Sequence, residues 1–432
     1  MKKTESKNNR KILVFVLIIA VVAIVLIANK GRIFNQEKYK RESNRKVPIT
    51  PEDLVPTEHA NIEQDSTGTN VPVPKGYVGS PLTTGFTFNY TDGSGSTTIS
   101  DGGENTINTG FVIYEKLEGE SDSQAKANIL ADPWTAQCTR NQFVWVPVPD
   151  PSTIYGTDSN GKKWGKLYDF RALNEDNITK TAPLNWSESG GVMTITNHKF
   201  EREPDIAKRY DIESKLVALN FEAKNSHDLL IQLEREFEES IESIEKYGGF
   251  YIGRYETGGL SGEAKIVKED TDIGNQAGYT MYSKLKKLER SNRNVITSMI
   301  WGSQLDRTLM WLGESGNKTK KQIVTDSRDW ANYQYTSFSY IKTTGTILTK
   351  SANVSVIIPS GSSEYTRANN IYDLAGNVAE ETKEVYSAND GLRINRGGTY
   401  NSTATNTAAF RNYSNPTTSA AAGGSRAALY VK

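Results

Sequence analysis

Cysteine is nearly absent from this chain: Cys138 is the only one in 432 residues. A single thiol excludes an intramolecular disulfide, a thiol-paired metal site and a two-cysteine redox centre. Histidine is almost as scarce. His59, His198 and His227 are too scattered to suggest a metal triad, and each reads as an ordinary polar residue. An excess of either charge is missing too, since Lys+Arg and Asp+Glu both number 51. The overall field therefore gives no reason to expect nucleic acid or an acidic polymer as partner, and any ligand has to be read from local pattern. The length suggests two or three folded units.

What is present begins with an uncharged apolar run, Ile12 to Ala28. As a helix rising about 1.5 Å per residue it would reach roughly 26 Å, close to the apolar thickness of a bilayer. Lys2, Lys3, Lys7, Arg10 and Lys11 precede it, as expected of a cytoplasmic N-terminus, although Lys30, Arg32, Lys38, Lys40 and Arg41 follow it. Leu26-Ile27-Ala28 is a poor cleavage site, which favours an uncleaved anchor over a signal segment. The expectation is a basic cytoplasmic tail (1–11), a transmembrane anchor (12–28), a disordered stalk (29–75) and one large domain (76–432). The protein would then be a single-pass protein of the cell membrane with its C-terminal domain outside. The stalk is inferred from charge, Pro, Thr and few aromatics. Fully stretched, it would span about 150 Å.

From Gly76 onward short strands and Gly-rich turns set in, among them Gly110 to Tyr114 and Phe143 to Pro149. Asn89 to Thr106 reads as a hairpin loop and Asp158-Ser159-Asn160-Gly161 as a plain turn. Asp228 to Tyr247 predicts a helix with Leu230, Leu233, Phe237, Ile241 and Ile244 on one face, stopped by Gly248-Gly249. Phe250 to Glu256 predicts a strand, and a shorter helix is expected near Lys284 to Arg290. Met299 to Gly302 and Met310 to Leu312 read as core rather than as a sugar platform. Arg254 and Glu256 read as a structural pair or a solvated edge.

The most informative stretch is Asn369 to Glu380, followed by Arg396-Gly397-Gly398-Thr399-Tyr400. Asp373 and Glu380 stand seven residues apart around a glycine turn, with intervening carbonyls available to a hard cation of the calcium type. A turn stabilised by Asp and Asn side chains without metal fits the same residues.

These motifs, with Phe143-Val144-Trp145-Val146-Pro147, Gly249 to Glu256 and Ser425 to Tyr430, come in the order found in the formylglycine-generating enzyme (sulfatase-modifying factor) family. The chain resembles that family over roughly residues 110 to 432. The resemblance implies an α+β, C-type-lectin-like fold low in regular structure, in which the first and last strands pair. It also implies a structural calcium held by the side chains of Asp373 and Glu380 and the carbonyls of Gly376 and Val378.

The departures point away from catalysis. The two copper-binding cysteines of the oxidising members fall near Ser402 and Thr407 here, and hydroxyls do not replace thiolates for Cu(I). The clustered histidines of the iron branch are missing as well, so neither copper nor iron is expected. Between Thr399 and Ser425 stand six Thr, four Asn, four Ser and six Ala, with Tyr400, Phe410, Arg411 and Tyr413 interspersed. This is similar to the variable region of retroelement-diversified ligand-binding proteins; ordinary compositional bias is the competing reading. The expected function is a non-catalytic surface binding protein for an unidentified protein or glycan, contacting it through Tyr400, Asn401, Asn406, Arg411, Asn412 and Tyr413. The alternatives are a formylglycine-generating or related metal-dependent oxidoreductase, and a structural part of an envelope assembly.

Overall fold

The computed structural model describes residues 49–82, 86–89, 96–99, 105–157, 163–168, 183–184, 186–189, 192–195, 217–219, 223–342, 346–385, 392–403 and 406–432. Its backbone is a six-stranded sheet. In chain order the strands used below are β1 (Ala60–Gln64), β2 (Asn70–Pro74), β3 (Tyr77–Gly79), β4 (Val112–Glu115), β5 (Gln142–Pro147), β6 (Gly249–Gly253) and β7 (Val295–Met299). They continue with β8 (Phe338–Ile341), β9 (Ile347–Lys350), β10 (Ala379–Val385), β11 (Arg393–Arg396), β12 (Arg411–Ser414), β13 (Gly423–Ser425) and β14 (Ala427–Val431). The large sheet runs β7-β14-β6-β5-β4-β3, every neighbouring pair antiparallel. The C-terminal strand is thus an interior strand, and β5, β6 and β14 read as continuous apolar runs because they are buried on both faces.

Helix α1 (Ser226–Tyr247) shows how sequence becomes packing. Asn225 caps its start, its side chain accepting from the Asp228 amide at 3.0 Å, and Gly248 ends it in the left-handed region at φ 75°. Leu229, Leu233, Phe237, Ile241, Ile244 and Tyr247 recur every three or four residues and are all buried. Each contributes about 1.5–3 kcal/mol. The helix lies against β6 and β14. Helix α2 (Gly278–Lys286) abuts β7, and α3 (Gly302–Glu314) brings Asp306 toward β10. Met299, Trp301 and Trp311 are buried, as core positions should be.

The second sheet, β12-β11-β10-β13, carries the residues of the candidate site. Its outer pairs differ, because β12 and β11 run antiparallel whereas β10 and β13 run parallel.

Three features correct the expected architecture. The chain is mixed α/β with substantial regular structure, rather than an α+β domain low in it. The stalk does not extend to residue 75: β1 and β2 pair antiparallel from Ala60↔Pro74 to Gln64↔Asn70, with Val71 and Val73 fully buried. Among the described residues, no helix is long and apolar enough to cross a membrane, the longest being charged along its outer face. The expected basic tail (1–11), the anchor (12–28), the stalk as far as residue 48, His198 and the Asp158–Gly161 turn lie outside the described residues.

Candidate functional site

The loop from Asp373 to Glu380 is the structural centre of the C-terminal half. Gly376 adopts φ 79°, and a Cβ there would stand 2.2 Å from the Asn332 carbonyl oxygen, so only glycine lets the two backbones meet. Asn377 is the hub of the turn. Its amide nitrogen donates to Glu256 Oε2 at 2.6 Å, while its Oδ1 accepts from Asn332 Nδ2 at 2.9 Å and from the Ile358 amide at 3.0 Å.

Both expected cation ligands are buried and half satisfied. Asp373 Oδ2 accepts from the Gly361 amide at 2.7 Å, and Glu380 Oε1 from Arg426 Nε at 2.7 Å. Among the described residues, Asp373 Oδ1 and Glu380 Oε2 have no hydrogen-bond partner. Burial pushes both carboxyls up, and for Glu380 the neighbouring Asp373 charge adds to the effect against the pull of Arg426. Burial also raises Glu256 well above the usual carboxylate range, with Asp373 and Glu380 reinforcing it. Two buried carboxylates whose charges interact, each with one orphaned oxygen, offer chemistry that suits a hard cation. Among the described residues, however, no group of three or more His, Cys, Asp or Glu side chains is arranged to hold a metal.

The Arg-Gly-Gly motif connects this loop to the surface. Gly397 and Gly398 have φ of 85° and 73°; a Cβ on them would stand 2.7 Å from the carbonyl oxygens of Leu374 and Asn406 respectively. The chain therefore folds tightly over the loop, and the Tyr400 amide donates to the Asn377 carbonyl at 2.9 Å. Above this contact lies a groove of about 420 Å³ whose lining includes Asn395, Thr399, Asn401, Ser402, Asn406 and Asn412, with the Phe410 ring.

Of the six expected contact residues, Asn401, Asn406 and Asn412 line this groove, whereas Tyr400, Arg411 and Tyr413 do not. Tyr413 is 51% exposed on β12, outside the groove. Arg411 departs most from expectation. Its Nη2 meets Asp306 at 2.5 Å and its Nε meets Glu384 at 3.1 Å, with the side chain 7% exposed. Arg396 shares the same two carboxylates at 2.6 and 3.3 Å, completing a buried quartet beneath β11 and β12. Asn395 and Phe410 were not anticipated as lining residues; strand alternation beside the buried Arg396 was the signal for Asn395.

The residues at the copper positions do not fit copper. Ser402 Oγ accepts from the Thr399 amide at 2.8 Å and from Asn406 Nδ2 at 3.2 Å, closing a turn, and Thr407 is buried. Cys138 does not line the groove, and burial pushes its thiol up to about 12.

No family model matches the chain, and no curated protein matches it. Among solved structures it is similar to CarF, at 13% identity and TM-score 0.30 over 43% of this chain and 87% of that one. It is also similar to PvdO from Pseudomonas aeruginosa, at 17% identity and TM-score 0.29 over 43% and 82%. A third likeness is to Treponema denticola variable protein 1, at 14% identity and TM-score 0.27 over 42% and 85%.

Proposed function

We propose that this protein is a non-catalytic binding module on a C-type-lectin-like scaffold of the formylglycine-generating kind, and that the groove beside β11 and β12 receives an uncharged, hydroxyl-rich ligand such as a glycan. The observation that carries this reading is the chemistry of the lining. Four asparagines and three hydroxyl residues, Thr399, Ser402 and Thr403, line the groove together with Phe410. Amides offer paired donors and acceptors to hydroxyl groups, and a ring face packs against the apolar face of a sugar. Among the described residues, the lining includes no carboxylate, imidazole or thiol, which favours binding over acid–base chemistry in this reading.

A structural calcium belongs to the same proposal. The side chains of Asp373 and Glu380, with the carbonyls of Gly376 and Val378, would hold it beneath the groove. Its contribution would be to neutralise buried carboxylates and stiffen the loop on which Tyr400 rests. Glycan-array binding of the full chain, repeated with Asn401→Ala and Asn412→Ala, tests the function. Glycan binding weakened about fivefold or more by each variant, at unchanged melting temperature, is the expected result. Binding that ignores both substitutions would place the ligand elsewhere.

A further inference from the structure

A second cavity, sharing no lining residue with the asparagine groove, lies between the β8–β9 hairpin and residues 362–365. Its volume is about 380 Å³, within the range of small-molecule sites. Phe338 and Tyr365 stack at 4.6 Å with their planes 9° apart, and Ile341 and Ile347 add aliphatic wall. The Ile341 amide donates to the Ser362 carbonyl at 2.9 Å, fixing the hairpin against the opposite wall. Two donors in this lining are buried and, among the described residues, short of hydrogen-bond acceptors. Ser362 is 2% exposed, and its Oγ has no hydrogen-bond partner among the described residues. Lys268 is also 2% exposed; its ammonium lies 5.0 Å from the centre of the Tyr372 ring, 6.0 Å from that of Trp134 and 3.9 Å from Glu364 Oε1, the last beyond hydrogen-bond reach. Glu364 Oε1 accepts from Tyr372 Oη at 2.6 Å, while Oε2 lies 2.9 Å from Arg367 Nε as an ion pair without hydrogen-bond geometry. Burial holds the Lys268 pKa below the usual lysine value, as befits a cation lacking solvent.

A buried ammonium and a buried hydroxyl, both donors, belong to the lining of a cavity whose walls also include Phe338, Tyr365, Ile341 and Ile347, three further serines and Glu364. The two donors call for an acceptor carrying negative charge, and the apolar walls call for a flat or aliphatic body. We propose that this cavity is a binding site for a small monocarboxylate with an aromatic or aliphatic body, its carboxylate received by Lys268 Nζ and Ser362 Oγ and its body by Phe338, Tyr365, Ile341 and Ile347. The site does not depend on the glycan-type reading of the other groove.

The test is calorimetric titration of the full chain with 3-phenylpropionate, the shape-matched neutral 3-phenylpropanamide, and acetate. Saturable one-to-one binding of the acid is expected, with the amide and acetate each weaker by about tenfold or more. Lys268→Met should lose about tenfold in affinity for the acid and Ser362→Ala several-fold, each at near-native melting temperature. Equal binding of acid and amide, no saturable binding of the acid, or full affinity in Lys268→Met would each overturn the assignment. Should Lys268→Met not fold, the acid–amide comparison on the unaltered chain and the Ser362→Ala variant still decide it.

Discussion

Arg426 donates from Nε to Glu380 Oε1 at 2.7 Å, and the two side chains are 0% and 2% exposed. The same guanidinium donates to the Gly253 carbonyl at 2.9 Å and to the Tyr372 carbonyl at 2.7 Å. One side chain therefore ties the start of β14 to the end of β6, to the turn before Asp373 and to β10. Replacing it by an apolar residue of similar length strands Glu380 and frees two carbonyls at once. Arg426→Met is expected to lose about 3–5 kcal/mol of unfolding free energy in urea denaturation. A loss under about 1 kcal/mol would mean that Glu380 takes up a proton or another partner at little cost.

Calcium, if it occupies the Asp373 loop, binds the native state alone and so raises its melting temperature by mass action. A hundredfold excess over the dissociation constant stabilises by about 2.7 kcal/mol. Full-length protein stripped with a chelator should melt lower than the same protein with calcium restored. Asp373→Asn, which removes a charge beside the orphaned Glu380 Oε2, should abolish the difference. A melting curve indifferent to calcium in the unaltered chain would reject the cation and leave a turn held by Asp373 and Asn377.

Where local pattern dictates structure, the sequence was readable. The helix expected over 228–247 runs Ser226–Tyr247 and stops at the left-handed Gly248. The strand expected from Phe143 runs Gln142–Pro147. The helix placed near Lys284–Arg290 instead spans Gly278–Lys286: the Tyr279 amide at its start donates to the distant Pro416 carbonyl at 3.0 Å, and Arg290 stands in the left-handed region at φ 51°, outside helical geometry. Asn70-Val71-Pro72-Val73-Pro74 looked like linker from its prolines, yet the alternate valines were the strand signal, and both are buried. In the groove, the asparagines stood out by composition. The inward turn of Arg411 did not, since its partners Asp306 and Glu384 lie 105 and 27 residues away. The Lys268 cavity is assembled from three separate segments and has no sequence signature.

Arg411 and Tyr413 are two residues apart on one edge strand and differ sharply in surroundings, one sealed in a carboxylate pair and the other half exposed. Arg411→Ala leaves Asp306 and Glu384 short of a counter-charge in a dry site, and is expected to cost about 3–5 kcal/mol. Tyr413→Ala should change stability by less than about 0.5 kcal/mol. Chemical denaturation of both variants checks this contrast. Equal, small effects would return Arg411 to the role of a surface contact.

A pH dependence follows from the fork between Arg140 and Glu120, whose paired contacts measure 2.6 and 2.7 Å. Hydrogen bonding from Arg140 lowers the Glu120 carboxyl from its ordinary 4.5 to about 2, with Asn128 and the Leu117 amide assisting. A folded-state pKa below the unfolded one means that the unfolded chain binds more protons between those two values. The stabilisation is therefore fully present above about pH 4.5 and is lost as pH falls toward about 2. Glu120→Gln should be less stable than the unaltered chain at neutral pH, and the gap between the two should close on acidification through that window. Urea denaturation at several pH values in that window and at neutrality measures the gap. A gap that stays constant with pH would show that Glu120 acts through its shape and neutral hydrogen bonds rather than through its charge.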